Sequence, residues 1–329
     1  MGSSSSVSPD FAAAFLARSG PAGSLTFAEF MDLALFHPSL GYYQRDRARV
    51  GYAPGTDFYT ASSSGAVFGE MVAAACVTLL GGEARAREHT FIEIGAEPGG
   101  GVLAGVAHPF ASARTVRVGD PLELSGRFVV FSNELFDAQP LRRFVRRGAA
   151  WRELGVALRD GMLSEVELAS EVCASWLPAD AGESYVFDAP RAAAELATRI
   201  ATQPWHGLFV AFDYGKSLVE LATATPAGTA RAYFQHTQSN DLLARPSEQD
   251  LTGHVCWDWL AESLTRAGFI RTAVDSQEAF FIRHAGPFLA QAMAAEATRV
   301  SQRKLALLQL LHPSHLGQKF QVLHGYRDA

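Results

Sequence analysis

Two short segments, Phe128-Val129-Val130-Phe131 and Leu208-Phe209-Val210-Ala211-Phe212, are apolar at every position. A strand with one wet face alternates apolar and polar residues. Uninterrupted runs of this length therefore describe strands buried on both faces, as in a parallel sheet covered by helices. A third run, Thr90 to Ile94, leads into Gly95 and then Gly99-Gly100-Gly101, and Val102 to Ala107 reads as a weak helix behind it. Strand, glycine-rich turn and helix, followed by two more buried strands, specify an α/β fold with an open sheet. In such sheets ligands collect at the carboxyl ends of the strands, which places Asn133, Glu134, Asp213 and Tyr214 where a site is expected.

Around these strands the chain reads as follows. Thr26-Phe27-Ala28-Glu29 is a capping-box pattern that opens a helix running to Phe36, and His37-Pro38 stops it. Residues 37–64 form a loop long enough to suggest a function. Gly65 to Leu80 returns to helical spacing and ends at Gly81-Gly82. Residues 141–176 alternate like antiparallel strands, 187–203 like a helix, and Val255 to Ala267 like another. A strand at Phe269 to Val274 and Ala/Leu-rich helical stretches to Leu311 complete the pattern. The Ser-rich first eight residues are expected to be a disordered tail, and residues 9–329 one domain with an inserted lobe at 141–203.

Charge and cysteine usage exclude several classes. The 329 residues carry 28 Lys+Arg against 34 Asp+Glu, a net charge of −6, so no basic field is available for nucleic acid. The longest apolar stretch, Met71 to Leu80, is far short of the roughly 20 residues of a membrane-spanning helix. Cys76, Cys173 and Cys256 lie far apart, which suggests neither a metal site nor a disulfide framework, and a reducing, cytoplasmic setting is expected.

Six phrases in order carry a family resemblance: His37-Pro38-Ser39-Leu40-Gly41-Tyr42-Tyr43, Asp57-Phe58-Tyr59-Thr60, Phe68-Gly69-Glu70, Asn133-Glu134-Leu135-Phe136-Asp137-Ala138-Gln139-Pro140, Asp213-Tyr214-Gly215 and Asp250-Leu251-Thr252-Gly253-His254-Val255. Together they resemble the MidA-like family of S-adenosylmethionine-dependent methyltransferases, which includes the mitochondrial complex I assembly arginine methyltransferase. The resemblance implies a Rossmann-like methyltransferase sheet with an added α+β lobe, and S-adenosylmethionine as cofactor. It also implies a protein side chain, arginine foremost, as acceptor, with a respiratory-complex subunit as partner. By the same resemblance Asp57, Tyr59, Glu93, Gly95, Gly99, Asp120 and Asn133 would bind the cofactor. Glu134 and Asp137 would grip a guanidinium fork, and Asp213 or His254 would take up the released proton.

Two departures from the family pattern stand out. Its glycine-rich loop reads Glu-(Ile/Leu)-Gly-Pro-Gly-Arg-Gly, whereas this chain reads Glu93-Ile94-Gly95-Ala96-Glu97-Pro98-Gly99-Gly100-Gly101, with Glu97 in place of the middle glycine. The strand and helix that normally follow, bearing the ribose-binding acid, are missing, and Val116 to Leu122 resembles the family's third strand, with Asp120 near the adenine. Two functions of different class fit this sequence: a methyltransferase, or a methyltransferase-shaped binding or assembly protein that has lost its cofactor. Simpler readings exist locally. Asn133, Asp137 and Asp213 are common helix-capping types, His254 is as often structural as functional, and Arg142, Arg143, Arg146 and Arg147 read as a solvated strand edge.

Overall fold

The computed structural model describes residues 7–45, 49, 56–57, 65–98, 100–298 and 301–328. In chain order its first half contains α1 (Pro9–Ser19), β1 (Ser24–Thr26), α2 (Phe27–Phe36), α3 (Ala66–Leu80), α4 (Glu83–Ala86), β2 (Thr90–Ile94), β3 (Ser112–Val116), β4 (Gly126–Asn133), β5 (Arg142–Arg147), β6 (Ala150–Arg159) and β7 (Met162–Val172). There follow β8 (Val186–Ala189), α5 (Arg191–Ala201), β9 (Trp205–Asp213), β10 (Gly215–Lys216), α6 (Leu218–Thr223), β11 (Arg231–Phe234), β12 (Thr237–Ser239), β13 (Asp250–Thr252) and β14 (Val255–Cys256). The chain closes with α7 (Trp257–Arg266), β15 (Ile270–Ser276), α8 (Gln277–His284), α9 (Gly286–Ala295), α10 (Gln302–Leu311) and β16 (Gln321–Arg327).

Local chemistry explains most of the helix boundaries. The Thr26 hydroxyl accepts from the Glu29 N–H while the Glu29 carboxylate accepts from the Thr26 N–H, the reciprocal capping box expected for α2. Gly81, at φ 89°, lets the chain turn left-handed and close α3. At the amino end, Ser8 caps α1 and Val7 donates to the Gly161 carbonyl, so residues 7 and 8 of the expected tail are held.

The chain divides into two units. The larger, made of 48–135, 196–214 and 260–329, holds a six-stranded sheet in the order β15-β16-β9-β4-β2-β3. β3, β2, β4 and β9 are mutually parallel, and β16 is inserted antiparallel between β9 and β15. The uninterrupted apolar runs of β4 and β9 are buried, as their composition requires, with Phe131 and Phe212 packed against Phe68 of α3 and Phe281 of α8 in one core. The smaller unit, made of 1–47, 136–195 and 215–259, holds a sheet in the order β1-β6-β5-β8 with β7 paired to β6, and a three-stranded sheet β12-β11-β13.

Four sequence expectations are corrected. Residues 102–107 form a turn, not a helix: Ala104 bonds back to Gly101, Val106 to Leu103, and Gly105 sits at φ 72°. Glycines and the nearby Pro109 hold too little helix propensity to do otherwise. The strand expected at Val116 to Leu122 lies earlier, at Ser112–Val116, and residues 117–120 turn away from it, Asp120 accepting from the Arg117 N–H at 2.8 Å. β3 pairs directly with β2, Ile94 opposite Val116, and no strand lies outside it among the described residues, in keeping with the missing strand and helix read from the sequence. The helix expected from 187 begins at Arg191, because 187–189 belong to β8, and the helix expected from 255 begins at Trp257. Finally, β5 lies inside its sheet between β6 and β8 rather than at an edge, and Arg143 is buried there.

Candidate functional site

At the carboxyl edge of the larger sheet, β4 and β9 run side by side with Asn133 opposite Phe212, so Asn133, Glu134 and Asp213 come together. Glu134 is the notable residue of the three. Its N–H donates to the Phe212 carbonyl at 2.9 Å, which holds its φ at 52°, a left-handed conformation that a residue with a Cβ adopts only at a cost of about 1–3 kcal/mol. Its carboxylate accepts from the Asn133 side-chain amide at 2.9 Å. The other end of that amide, Asn133 Oδ1, is buried and has no hydrogen-bond partner among the described residues. A buried unpaired acceptor beside a strained carboxylate marks a place prepared for something else. Asp213 is fully buried and accepts from the Tyr214 N–H at 2.9 Å.

The end of β2 is built differently. Gly95 turns at φ 84°, and an added Cβ would lie 2.9 Å from the Leu135 side chain. Glu93 turns its carboxylate toward the loop and accepts the Val102 N–H, and burial pushes its carboxyl up to about 7 despite that donor. Gly101 is required for this arrangement, because a Cβ there would lie 2.5 Å from Glu93 Oε2 and 2.7 Å from Thr115 Cγ2. Glu97, the residue in the middle-glycine position, is ion-paired with the buried Arg49 at 3.1 Å, so its charge is compensated within the unit. Asp57 is buried and its N–H donates to the Arg49 carbonyl at 2.7 Å. Asp120 is exposed at the turn after β3. Tyr59 and Gly99 lie outside the described residues.

In the smaller unit Asp137 and His254 are brought near each other through backbone bonds. The Asp137 carbonyl accepts from the Gly253 N–H at 2.9 Å, and the His254 N–H donates to the Thr229 hydroxyl at 3.2 Å. Burial holds the His254 imidazole down to about 4, with Lys216 and Arg231 acting in the same direction, so the ring is neutral at ordinary pH. Buried Asp188 anchors the same region, accepting from the Thr229 and Ala230 N–H groups and pairing with buried Arg143 at 3.3 Å. Tyr43 donates to buried Asp250 at 2.9 Å, and its phenol is pushed well up by burial and by the charges of Asp250 and Asp137. Asp137, at 3% exposure, is almost wholly enclosed.

Sequence reading grouped Glu134 with Asp137 as one gripping pair; the boundary between the two units falls between them, after Leu135. It passed over Asp188, Asp250 and Arg49. Asp250 had a signal, since it opens one of the six family phrases. Asp188 and Arg49 had none, because their partners lie 41 to 48 residues away in the chain.

Known proteins resemble this chain in sequence and fold. Residues 115–273 match a family described as putative S-adenosyl-L-methionine-dependent methyltransferases. The mitochondrial protein arginine methyltransferase NDUFAF7 of Danio rerio is 23% identical, the match spanning 99% of this chain and 89% of that one. A Burkholderia thailandensis protein solved with S-adenosyl-homocysteine superposes with a TM-score of 0.82 at 22% identity, covering 99% of this chain and 96% of its own. A native structure from the same superfamily and organism gives 0.79 at 23% identity, with the same coverage. The family resemblance and the Rossmann-like methyltransferase architecture read from the sequence are thereby borne out.

Proposed function

We propose that this chain transfers a methyl group from S-adenosylmethionine to a protein side chain, arginine foremost. The observation that carries the reading is the end of β4, where a left-handed Glu134 stands beside the fully buried Asp213 and the buried Asn133 Oδ1, which has no hydrogen-bond partner among the described residues. The residues present fit the cofactor: an open acceptor at Asn133, a partly buried carboxyl at Glu93, and glycines at 95 and 101 that keep side chains out of the loop. When bound there, the cofactor supplies a methyl group activated by sulfonium charge.

The chain's own residues have mainly positioning work. Glu134 would accept guanidinium N–H groups and hold the acceptor nitrogen in line, a task whose value lies in pre-arranged geometry. Of the two candidate proton acceptors, Asp213 lies in the same unit as Glu134, whereas His254 belongs to the smaller unit, so the proposal gives the proton to Asp213. A protein substrate drawn from a respiratory complex, and a reducing cytoplasmic setting, are part of the proposal and rest on the family resemblance and on three unpaired cysteines.

A second reading has its own observation. The turn at 102–105 in place of a helix, the lack of a strand beyond β3 among the described residues and the exposed Asp120 remove contacts that a complete methyltransferase sheet offers the ribose and base. Each missing neutral hydrogen bond costs about 1 kcal/mol, so affinity in the range of tens of micromolar is expected. Calorimetric titration of the full chain with S-adenosylmethionine, followed by labelled methyl transfer to arginine-containing proteins, tests both readings. Saturable binding that Asn133→Ala weakens supports the transferase. Absence of any binding leaves the binding-protein reading in its place.

A further inference from the structure

Away from the strand ends discussed above, the antiparallel pair β15 and β16 carries a second group of titratable side chains. Ala273 lies opposite His324 and Asp275 opposite Val322, so Asp275 is two residues along from the partner of His324 and projects from the same face of the sheet. α8 crosses that face. Its Phe280 ring packs against His324 at 5.5 Å, and one turn later His284 comes within 5.2 Å of the same imidazole, ring centre to ring centre. His324 Nε2 lies 3.3 Å from Asp275 Oδ2, and one ligand atom from each of Asp275, His284 and His324 falls within 4.8 Å of the other two. His284 Nε2 is buried and has no hydrogen-bond partner among the described residues.

We propose that Asp275, His284 and His324 form a divalent metal site, with zinc as the fitting ion, that fastens α8 to the outer strands of the sheet. Two imidazoles and a carboxylate are the donor set of three-ligand zinc sites, which leave a fourth position for water or another ligand. Tetrahedral bonds of about 2.0–2.1 Å place ligand atoms about 3.3 Å apart, the separation already present between His324 and Asp275. The His284 ligand atom, now within 4.8 Å of the other two, would move closer on binding. The carbonyl end of α8, where His284 sits, adds a field that favours a cation. Among the described residues Arg283 opposes this in contact: its Nη1 lies 2.7 Å from both Asp275 oxygens. It is well exposed and can withdraw into solvent when an ion takes the carboxylate. The three ligands come from separate segments, which is why no sequence motif announced them.

The test uses the metals alone on the full chain. Cobalt(II) should bind at one ion per chain with visible absorption of a four- or five-coordinate site, zinc should displace it, and added zinc should raise the thermal unfolding midpoint. His284→Gln and His324→Gln should each weaken binding by at least about tenfold and abolish the zinc-dependent shift in midpoint. His284 sits at a helix end and is only half-buried, so its variant should fold even if His324→Gln does not. His312 and His315, whose rings also meet at 5.2 Å, and the exposed Cys173 are the competing donors. Binding that survives His284→Gln but is lost in His312→Gln or Cys173→Ser overturns the proposal, as does failure of the unmodified chain to bind cobalt.

Discussion

β2 and β4 are adjacent parallel strands of one sheet, and each delivers an acidic residue near its carboxyl end, yet the two carboxylates are used in opposite ways. Glu93 is turned toward its own loop, where the Val102 N–H satisfies it and Gly101 makes room for it. Glu134 is held in a left-handed conformation beside a buried acceptor, Asn133 Oδ1, that has no hydrogen-bond partner among the described residues. One end is relaxed, and the other is under strain. Strain persists in folded proteins only where surrounding structure over-determines it, and such places are commonly functional. The contrast fits the proposal that the end of β4 holds the acceptor while the end of β2 shapes the cofactor loop.

The strongest challenge to this contrast is Glu134→Gly. Glycine adopts φ 52° freely, so relief of strain offsets the lost bond to Asn133, and stability measured by denaturant should change by less than about 1 kcal/mol. Methyl transfer should fall by about two orders of magnitude or more, because the positioning carboxylate is gone. Unchanged activity would move the reaction away from β4.

Gly101→Ala probes the other end. Its Cβ would collide with Glu93 Oε2 and Thr115 Cγ2, displacing the carboxylate from the Val102 N–H, and a loss of about 2–3 kcal/mol in unfolding free energy is expected. A neutral result would show that the loop is not held by Glu93.

The pH dependence of stability separates Glu93 from His254. Folding raises the Glu93 carboxyl from 4.5 to about 7, so the folded state binds its proton more tightly. That contribution is complete below about 4.5 and is lost as pH rises through about 7, on the order of 2–3 kcal/mol. Folding lowers His254 from 6.5 to about 4, so its contribution is present above 6.5 and is lost as pH falls toward 4. The two slopes oppose each other between pH 4.5 and 6.5. Denaturant titrations across pH should show Glu93→Gln removing the loss on the alkaline side and His254→Gln removing the loss on the acid side. A Glu93→Gln curve parallel to that of the unmodified protein would refute the assignment.

The smallest effect belongs to Glu97. With Arg49 compensating it, Glu97→Gln should change S-adenosylmethionine affinity less than about threefold, and loss of the ion pair should cost no more than about 1 kcal/mol of stability. A large gain in affinity would instead mean that Glu97 repels the cofactor directly.

Much of this was legible in the chain itself. The runs at 128–131 and 208–212, the capping box at Thr26 and the glycine after Leu80 specify buried strands and helix ends through local rules, because backbone geometry and burial on both faces depend on residues close in sequence. The position of Asn133, Glu134 and Asp213 at strand ends followed from the same pattern. Only the folded chain could decide the strain at Glu134, which arises from a hydrogen bond to Phe212 on another strand. The same holds for the rise in Glu93, the neutralisation of Glu97 by Arg49 48 residues away, and the meeting of Asp275 with His324 across 49 residues. Periodicity and capping are properties of a few neighbouring residues, whereas charge state, strain and convergence depend on which distant groups share a dry neighbourhood, and that is set by how strands and helices pack.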